Sequence, residues 1–263
     1  MEPGAAASNG RPGEGAAGEG AARDGAVAGV CPFTIDRPVM RQRWSRLTFL
    51  HWSFDPADVQ RLLPGGLEVE PYDGRAWVGL VPFFMHVATG GGRELAWVSR
   101  FAETNVRTYV RDRTGRSGIW FFSLDAARLG AVAVARVTYN LPYFWSSMEV
   151  TEHGNEITYR CRRRLPGAGH PASLARISIG EPYSRADLDE RDHFLTARWI
   201  LFSVAGSKRR MARACHEPWP LRRAEAVDVD DQLVQAAGLP ASANPPLVHY
   251  SRGVEVAIGW PEI

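Results

Sequence analysis

The sequence predicts an α+β protein built on a closed or nearly closed, antiparallel-rich β-barrel with a few flanking helices. Three observations point to this fold class. Short apolar runs, many alternating with period two, recur along the chain between turns rich in Gly, Pro and Asp. Helix signals are few and brief. A chain of 263 residues with 45% hydrophobic and 23% charged residues can bury a substantial core.

The chain divides into an N-terminal tail, residues 1–29, and a single barrel domain, residues 30–263. The tail is mostly Ala and Gly, and it is predicted to be disordered because it cannot bury enough apolar surface to offset its ordering entropy. It lacks the basic start and apolar stretch of a secretory signal. No apolar run reaches the ~18–20 residues that span a bilayer. We therefore expect a cytoplasmic protein without a membrane partner.

The amino-acid composition also limits the classes of partner and cofactor that are expected. The net charge of +2 gives no reason to expect a nucleic acid. Three widely spaced cysteines, Cys31, Cys161 and Cys215, are odd in number and form no CxxC pair, so reduced thiols are expected rather than a disulfide framework or a zinc site. Neither metal-ligand spacing nor a dinucleotide fingerprint is present, so neither a metal nor another cofactor is expected. A homo-oligomer is compatible with the sequence.

The first part of the barrel is predicted to open with a strand and a capped helix. Residues 44–54, WSRLTFLHWSF, alternate as a strand and carry His51 on one face. Asp55 and Pro56 then supply the N-cap and first position of a short helix. Residues 67–71 and 75–84 are predicted to pair as a hairpin across a Tyr-Asp-Gly turn.

The stretch Glu103 to Ala127 puts polar side chains where a buried sheet should be apolar. Asn105, Arg107 and Tyr109 share one face of the strand, and Val106 lies on the apolar opposite face. On a strand face that is exposed to solvent, such a row of polar side chains is ordinary. Inside a barrel it must be paired, because a buried unpaired charge is costly.

A hairpin loop, a strand and a helix are predicted next. Residues 112–118 form the loop, and the apolar run 119–122 forms a strand buried on both faces. Ser123 would then cap a helix over residues 124–137, with Asp125 in the first turn, where the helix dipole favours a carboxylate.

The rest of the chain is predicted to be strands with two short helices. The strands are residues 147–150, 157–163, 174–179, 196–204, 211–215, 222–229 and 245–260, and the helices are residues 187–194 and 230–237. The basic run Arg162–Arg164 is interpreted as a solvated strand end, because no aromatic residues interleave with it to stack on bases.

Five motifs follow one another along the chain: LTFLHW, DGRAWVGLVPF, NVRTYVR, GIWFFSLDAA and HEPWPL. The resemblance that they carry runs over about residues 44–260. Together they resemble the YqjF-like domain of unknown function, a family similar in fold to acetoacetate decarboxylase. The resemblance implies an acetoacetate decarboxylase-like barrel. It does not imply that enzyme's mechanism, because the matching segment Phe122–Asp125 lacks the Schiff-base lysine. The single lysine, Lys208, has charged neighbours in a turn and is interpreted as exposed.

Arg107 is the first candidate for a ligand contact, because a planar guanidinium binds a carboxylate with two parallel hydrogen bonds. The alternative is a structural ion pair with Glu103, Asp125 or another carboxylate. The full set of candidate substrate contacts is Arg107, Tyr109, Asn105, Trp120 and Asp125.

His51, His216 and Glu103 are the candidate proton-transfer residues. For each histidine the alternative is a hydrogen-bonded structural imidazole. The resulting hypothesis is a barrel that binds a small carboxylate or carbonyl compound and acts as a lyase, dehydratase or cyclase without a Schiff base. A non-catalytic ligand-binding module and a structural protein with a filled barrel remain the alternatives.

Overall fold

The structure is a computed structural model that describes residues 1, 29–89, 99–130, 140–167, 169–206, 208–242 and 244–262. Nearly all of the predicted disordered tail lies outside the described residues. Within the described part, no helix is long and apolar enough to cross a bilayer.

Strands dominate the described part of the chain. They are β1 (Met40–Phe54), β2 (Leu67–Val69), β3 (Ala76–Thr89), β4 (Arg100–Asp112), β5 (Ser117–Ala126), β6 (Tyr143–His153), β7 (Glu156–Leu165), β8 (Ala172–Pro182), β9 (Ile200–Ala205), β10 (Lys208–His216), β11 (Leu221–Asp231) and β12 (Leu247–Ile258). The helices are α1 (Pro56–Gln60), α2 (Glu190–Thr196) and α3 (Leu233–Ala236), with a 3-10 turn at Arg185–Asp187. Residues 129–130 are also helical.

The strands hydrogen-bond into a sheet that closes on itself. A nine-strand ring runs β5-β6-β7-β8-β11-β12-β1-β3-β4 and returns to β5. Its neighbours pair antiparallel except β5 with β6. The predicted closed, antiparallel-rich barrel with few helices is therefore confirmed.

A second closure creates a seven-strand ring. β9 and β10 connect β5 to β12, giving the ring β5-β9-β10-β12-β1-β3-β4. The two rings share five strands, and alternate side chains of a shared strand point to opposite rings. On β1, Phe49 belongs to one apolar core and Leu50 to the other. On β3, Val81 and Leu80 divide in the same way.

The predicted hairpin of residues 67–71 with 75–84 is wrong. β2 pairs with β4, at Val69 opposite Val110, whereas β3 pairs with β1 and β4. The turn itself is present as a bridge between Tyr72 and Arg75. β3 is central to the sheet because two strands flank it, and that long-range pairing outweighs a local hairpin.

The predicted helix over residues 124–137 begins too early. β5 continues through Ser123 and Asp125 to Ala126, and residues 131–139 lie outside the described part. Asp125 lies in a strand, where Ser146 on β6 and Arg163 on β7 donate hydrogen bonds to its buried carboxylate. The carboxylate therefore does not depend on the N–H groups of a helix N-terminus.

The expectation of three reduced thiols is wrong for two of them. Cys31 and Cys215 form a disulfide, with their Cα atoms 5.7 Å apart. Cys161 is a buried free thiol, and burial raises its pKa. The two paired residues are 184 positions apart and meet only because the segment before β1 passes β10, so their spacing in the sequence carried no signal.

Candidate functional site

A cavity of about 350 Å³ lies inside the seven-strand ring, and all seven strands contribute to its wall. Most of the wall is apolar or aromatic. Representative side chains are Leu47 on β1, Phe83 on β3, Phe121 on β5, Leu201 on β9 and Ile258 on β12. Such an apolar enclosure with a few polar groups is the usual form of a small-molecule site.

A polar row on β4 interrupts this apolar wall. Glu103, Asn105 and Arg107 all line the cavity, and each is less than 10% exposed. Residues two apart on a strand share a face and are spaced ~7 Å apart, so period-two alternation brings the three side chains into one line. The structure thus places Asn105 and Arg107 on the same face, as the sequence pattern indicates.

The Arg107 guanidinium is buried without a carboxylate partner among the described residues. Its NH2 group donates to the Leu195 carbonyl at 3.3 Å, and its Cζ lies 5.3 Å from the centre of the Phe49 ring. Its Nε has no hydrogen-bond partner in the described structure. The ion pair with Glu103 or Asp125 considered above is not formed, because Asp125 pairs with Arg163 instead.

A second arginine of the wall, Arg198, provides a contrast. Its NH1 group lies 2.8 Å from a Glu70 carboxylate oxygen, and Glu70 also pairs with Arg111 at 2.9 Å. Arg111 is more than half exposed, so solvent screens its charge, and Glu70 compensates the buried charge of Arg198. No carboxylate among the described residues does the same for Arg107.

Glu103 is 1% exposed and accepts a hydrogen bond from the Tyr143 hydroxyl at 3.2 Å. Burial raises the pKa of Glu103 to about 8. At neutral pH this carboxyl group is therefore protonated, and it offers a proton to the cavity rather than a charge.

His216 ends β10 and reaches the cavity from the opposite side of the seven-strand ring. Its Nδ1 lies 2.7 Å from the Glu217 carbonyl oxygen. A carbonyl oxygen can only accept, so Nδ1 carries the proton and Nε2 keeps a lone pair. Burial lowers the pKa of His216 to about 4, and the charge of Arg107 acts in the same direction. His216 is therefore a neutral imidazole near pH 7, whose Nε2 lone pair can accept a hydrogen bond or, as a weak base, a proton.

Three tryptophans surround His216. The ring centres of Trp199, Trp219 and Trp44 lie 4.6, 4.7 and 6.1 Å from the imidazole centre. All three line the cavity. None of the three is among the site candidates that the sequence indicates, although Trp219 falls within the HEPWPL motif.

His51 and Tyr109 do not line the cavity. The Tyr109 hydroxyl donates to the Leu195 carbonyl at 2.5 Å, so His51 Nε2 donates to that hydroxyl at 2.6 Å. Burial, reinforced by the charge of Arg107, holds the pKa of His51 well below its usual range. Both side chains support β4 and the end of α2 behind Arg107.

Asp125 and Trp120 face away from the cavity. Asp125 is fully buried and accepts two hydrogen bonds from Arg163, at 2.9 and 2.8 Å, and one from Ser146 at 2.8 Å. Trp120 packs against a small separate core that includes Phe202. The interpretation of the Arg162–Arg164 run as solvated is wrong for Arg163, which is 8% exposed.

No group of three or more His, Cys, Asp or Glu side chains in the described ranges is arranged to hold a metal ion.

Glu103→Gln is expected to change how stability depends on pH. Burial raises the pKa of Glu103 from 4.5 to about 8, so between these values the folded state keeps a proton that the unfolded state releases. The free energy of unfolding of the wild type therefore falls as pH rises across this window. Glutamine has no such proton. We therefore expect the free energy of unfolding of the variant, relative to that of the wild type, to rise by roughly 3–5 kcal/mol as the pH increases across this window. Urea titrations near each end measure the gain, and a pH-independent difference would contradict it.

The closed barrel has an acetoacetate decarboxylase-like fold. Three solved structures share the fold at 12% sequence identity. They are the enduracididine biosynthesis enzyme MppR complexed with pyruvate (TM-score 0.59, covering 86% of this chain and 90% of that one), an acetoacetate decarboxylase-like enzyme from Sphingomonas wittichii RW1 (0.56, 87% and 94%) and acetoacetate decarboxylase from Legionella pneumophila (0.57, 89% and 92%).

The particular family follows from sequence. Residues 41–255 match DUF2071, a family described as uncharacterised conserved proteins. The chain is also 34% identical over 226 residues to the uncharacterised protein YqjF of Bacillus subtilis (strain 168), covering 85% of this chain and 91% of YqjF. The chain belongs to the DUF2071 family, and the resemblance inferred from its motifs is confirmed.

Proposed function

We propose that this protein binds a small carboxylate in the cavity of the seven-strand ring, with Arg107 as the anion contact. The supporting observation is a buried guanidinium in an apolar wall with no carboxylate partner among the described residues. Desolvating a charge is costly, and a bound carboxylate would offset that cost through charge-assisted hydrogen bonds. One of the solved structures with this fold, MppR, is complexed with pyruvate, which is itself a keto acid.

Two further ionisable wall groups, His216 and Glu103, could take part in proton transfer. His216 Nε2 would remove a proton from a carbon next to the carbonyl or carboxylate, and neutral Glu103 would give its proton to an oxygen that leaves as water. This describes a dehydratase, and the same two transfers serve a lyase or a cyclase. Schiff-base chemistry is not proposed, because the chain's single lysine, Lys208, is exposed at the start of β10.

Arg107→Met is expected to abolish stabilisation by carboxylates. A ligand at about 100 times its dissociation constant adds ~2.7 kcal/mol, which raises the melting temperature of a chain of this size by roughly 5–10 °C. Thermal shift of the wild type and the variant against a panel of small carboxylates and keto acids measures the effect. Arg176→Met is the matched control, since Arg176 is exposed on β8, and it should keep the full shift.

Two outcomes would contradict the proposal. An equal shift in Arg107→Met would show that the anion binds elsewhere. No shift in the wild type, together with early melting of Arg107→Met alone, would make Arg107 a structural residue. Binding without turnover across the panel would favour the alternative, a non-catalytic binding module.

A further inference from the structure

Few of the side chains that line the cavity can carry a charge. The side chains of the described wall that could carry a charge are Arg107, Arg198, Glu103 and His216. Glu70 matches the charge of Arg198 at 2.8 Å. Glu103 and His216 are both buried and, as shown above, neutral near pH 7. The described wall therefore presents one uncompensated positive charge.

A second negative charge on the ligand would find no further uncompensated cation among the described wall residues. The other polar side chains of the wall are the neutral residues Gln42, Ser99, Asn105, Tyr143 and Thr196. A second carboxylate would lose its hydration among mostly apolar groups without gaining a cationic partner. Burying an unpaired ion in this way is strongly unfavourable.

The cavity is also larger than a minimal keto acid requires. Its volume of about 350 Å³ lies within the range of roughly 300–1,000 Å³ that small-molecule pockets span, toward its lower end. Apolar and aromatic side chains from every strand of the seven-strand ring would contact the part of the ligand remote from Arg107.

We propose that the cavity selects a monocarboxylate with an extended apolar body and rejects a dicarboxylate of the same length. The carboxylate contacts Arg107, and the body lies against the apolar wall. This inference rests on the proposed function, since it assumes the same anion contact, but it makes a separate statement about ligand charge and length.

Three eight-carbon probes test the inference at about pH 7: octanoate, octanedioate and octanamide. Titration calorimetry of the full chain is expected to show octanoate binding at least ~10-fold more tightly than either of the others. From butanoate to octanoate, affinity is expected to rise by up to ~4-fold for each added methylene, the value for complete burial of that group. Arg107→Met, checked for folding by circular dichroism, should lose octanoate binding.

The outcomes separate this inference from the proposed function. If octanedioate binds within about threefold of octanoate and Arg107→Met loses both, the anion contact stands and selection by charge fails. If affinity does not rise with chain length, the claim of an extended apolar body fails. If octanamide binds as well as octanoate, or if neither the eight-carbon probes nor the keto-acid panel binds the wild type, both proposals fail.

Discussion

Asp125→Ala is expected to lower the free energy of unfolding by about 3–5 kcal/mol. Asp125 is fully buried and holds the Arg163 guanidinium through two hydrogen bonds, at 2.9 and 2.8 Å. Arg163 is 8% exposed, so truncating Asp125 leaves a buried cation without its carboxylate. Urea unfolding followed by tryptophan fluorescence measures the loss.

Two control variants isolate the cause. The double variant Asp125→Leu with Arg163→Met removes both charges, and it should recover much of the loss because apolar pairs often replace buried ion pairs without penalty. Glu149→Ala removes a carboxylate whose ion pair with Arg160 is largely exposed, and it should cost far less. If Asp125→Ala is no more destabilising than Glu149→Ala, the ion pair does not stabilise the nine-strand ring.

Gly253→Ala is expected to destabilise the protein by roughly 3–5 kcal/mol, because it combines backbone strain with a clash. Gly253 has a φ of +129°, and a Cβ there would run into the Trp44 carbonyl oxygen and lie 2.7 Å from Ser45 Cα. Neither obstacle is a flexible side-chain end. At this size, the loss corresponds to a fall of about 6–20 °C in melting temperature, measured by differential scanning calorimetry.

We also expect Gly253→Ala to displace part of the cavity wall. Trp44 lines it and lies 6.1 Å from the His216 ring, so moving the Trp44 backbone shifts a wall residue. Gly65→Ala is the matched control, because a Cβ at Gly65 meets nothing within 4 Å. A variant at Gly253 that melts like the Gly65 variant would show that β1 and β12 can separate there at little cost.

The strands and the polar row could be predicted because their signal is local. Period-two alternation on β4 puts Asn105 and Arg107 on one face whatever the rest of the chain does. The same reasoning extends the row to Glu103, which the structure also places on the cavity wall. Which of His51 and His216 reaches the cavity could not be predicted, because it depends on β10 joining β12.

The errors arose where distant partners decide the local structure. Ser123 and Asp125 carry a helix-capping pattern, but Asp125 pairs with Arg163, 38 residues away. A usable signal existed: Tyr159, Cys161 and Arg163 alternate on one face of β7, and all three are buried. The run of three arginines obscured it, because a charge run is usually solvated.

The five strands shared by the two rings bear on how such a protein can diverge. Adjacent residues such as Phe49 and Leu50 belong to different cores, so the two sets of alternate positions meet different selective demands. Descendants could change residues facing the cavity and acquire new ligands while the opposite set keeps the barrel folded. Gene duplication would therefore yield barrels of one shape with diverging ligand preferences.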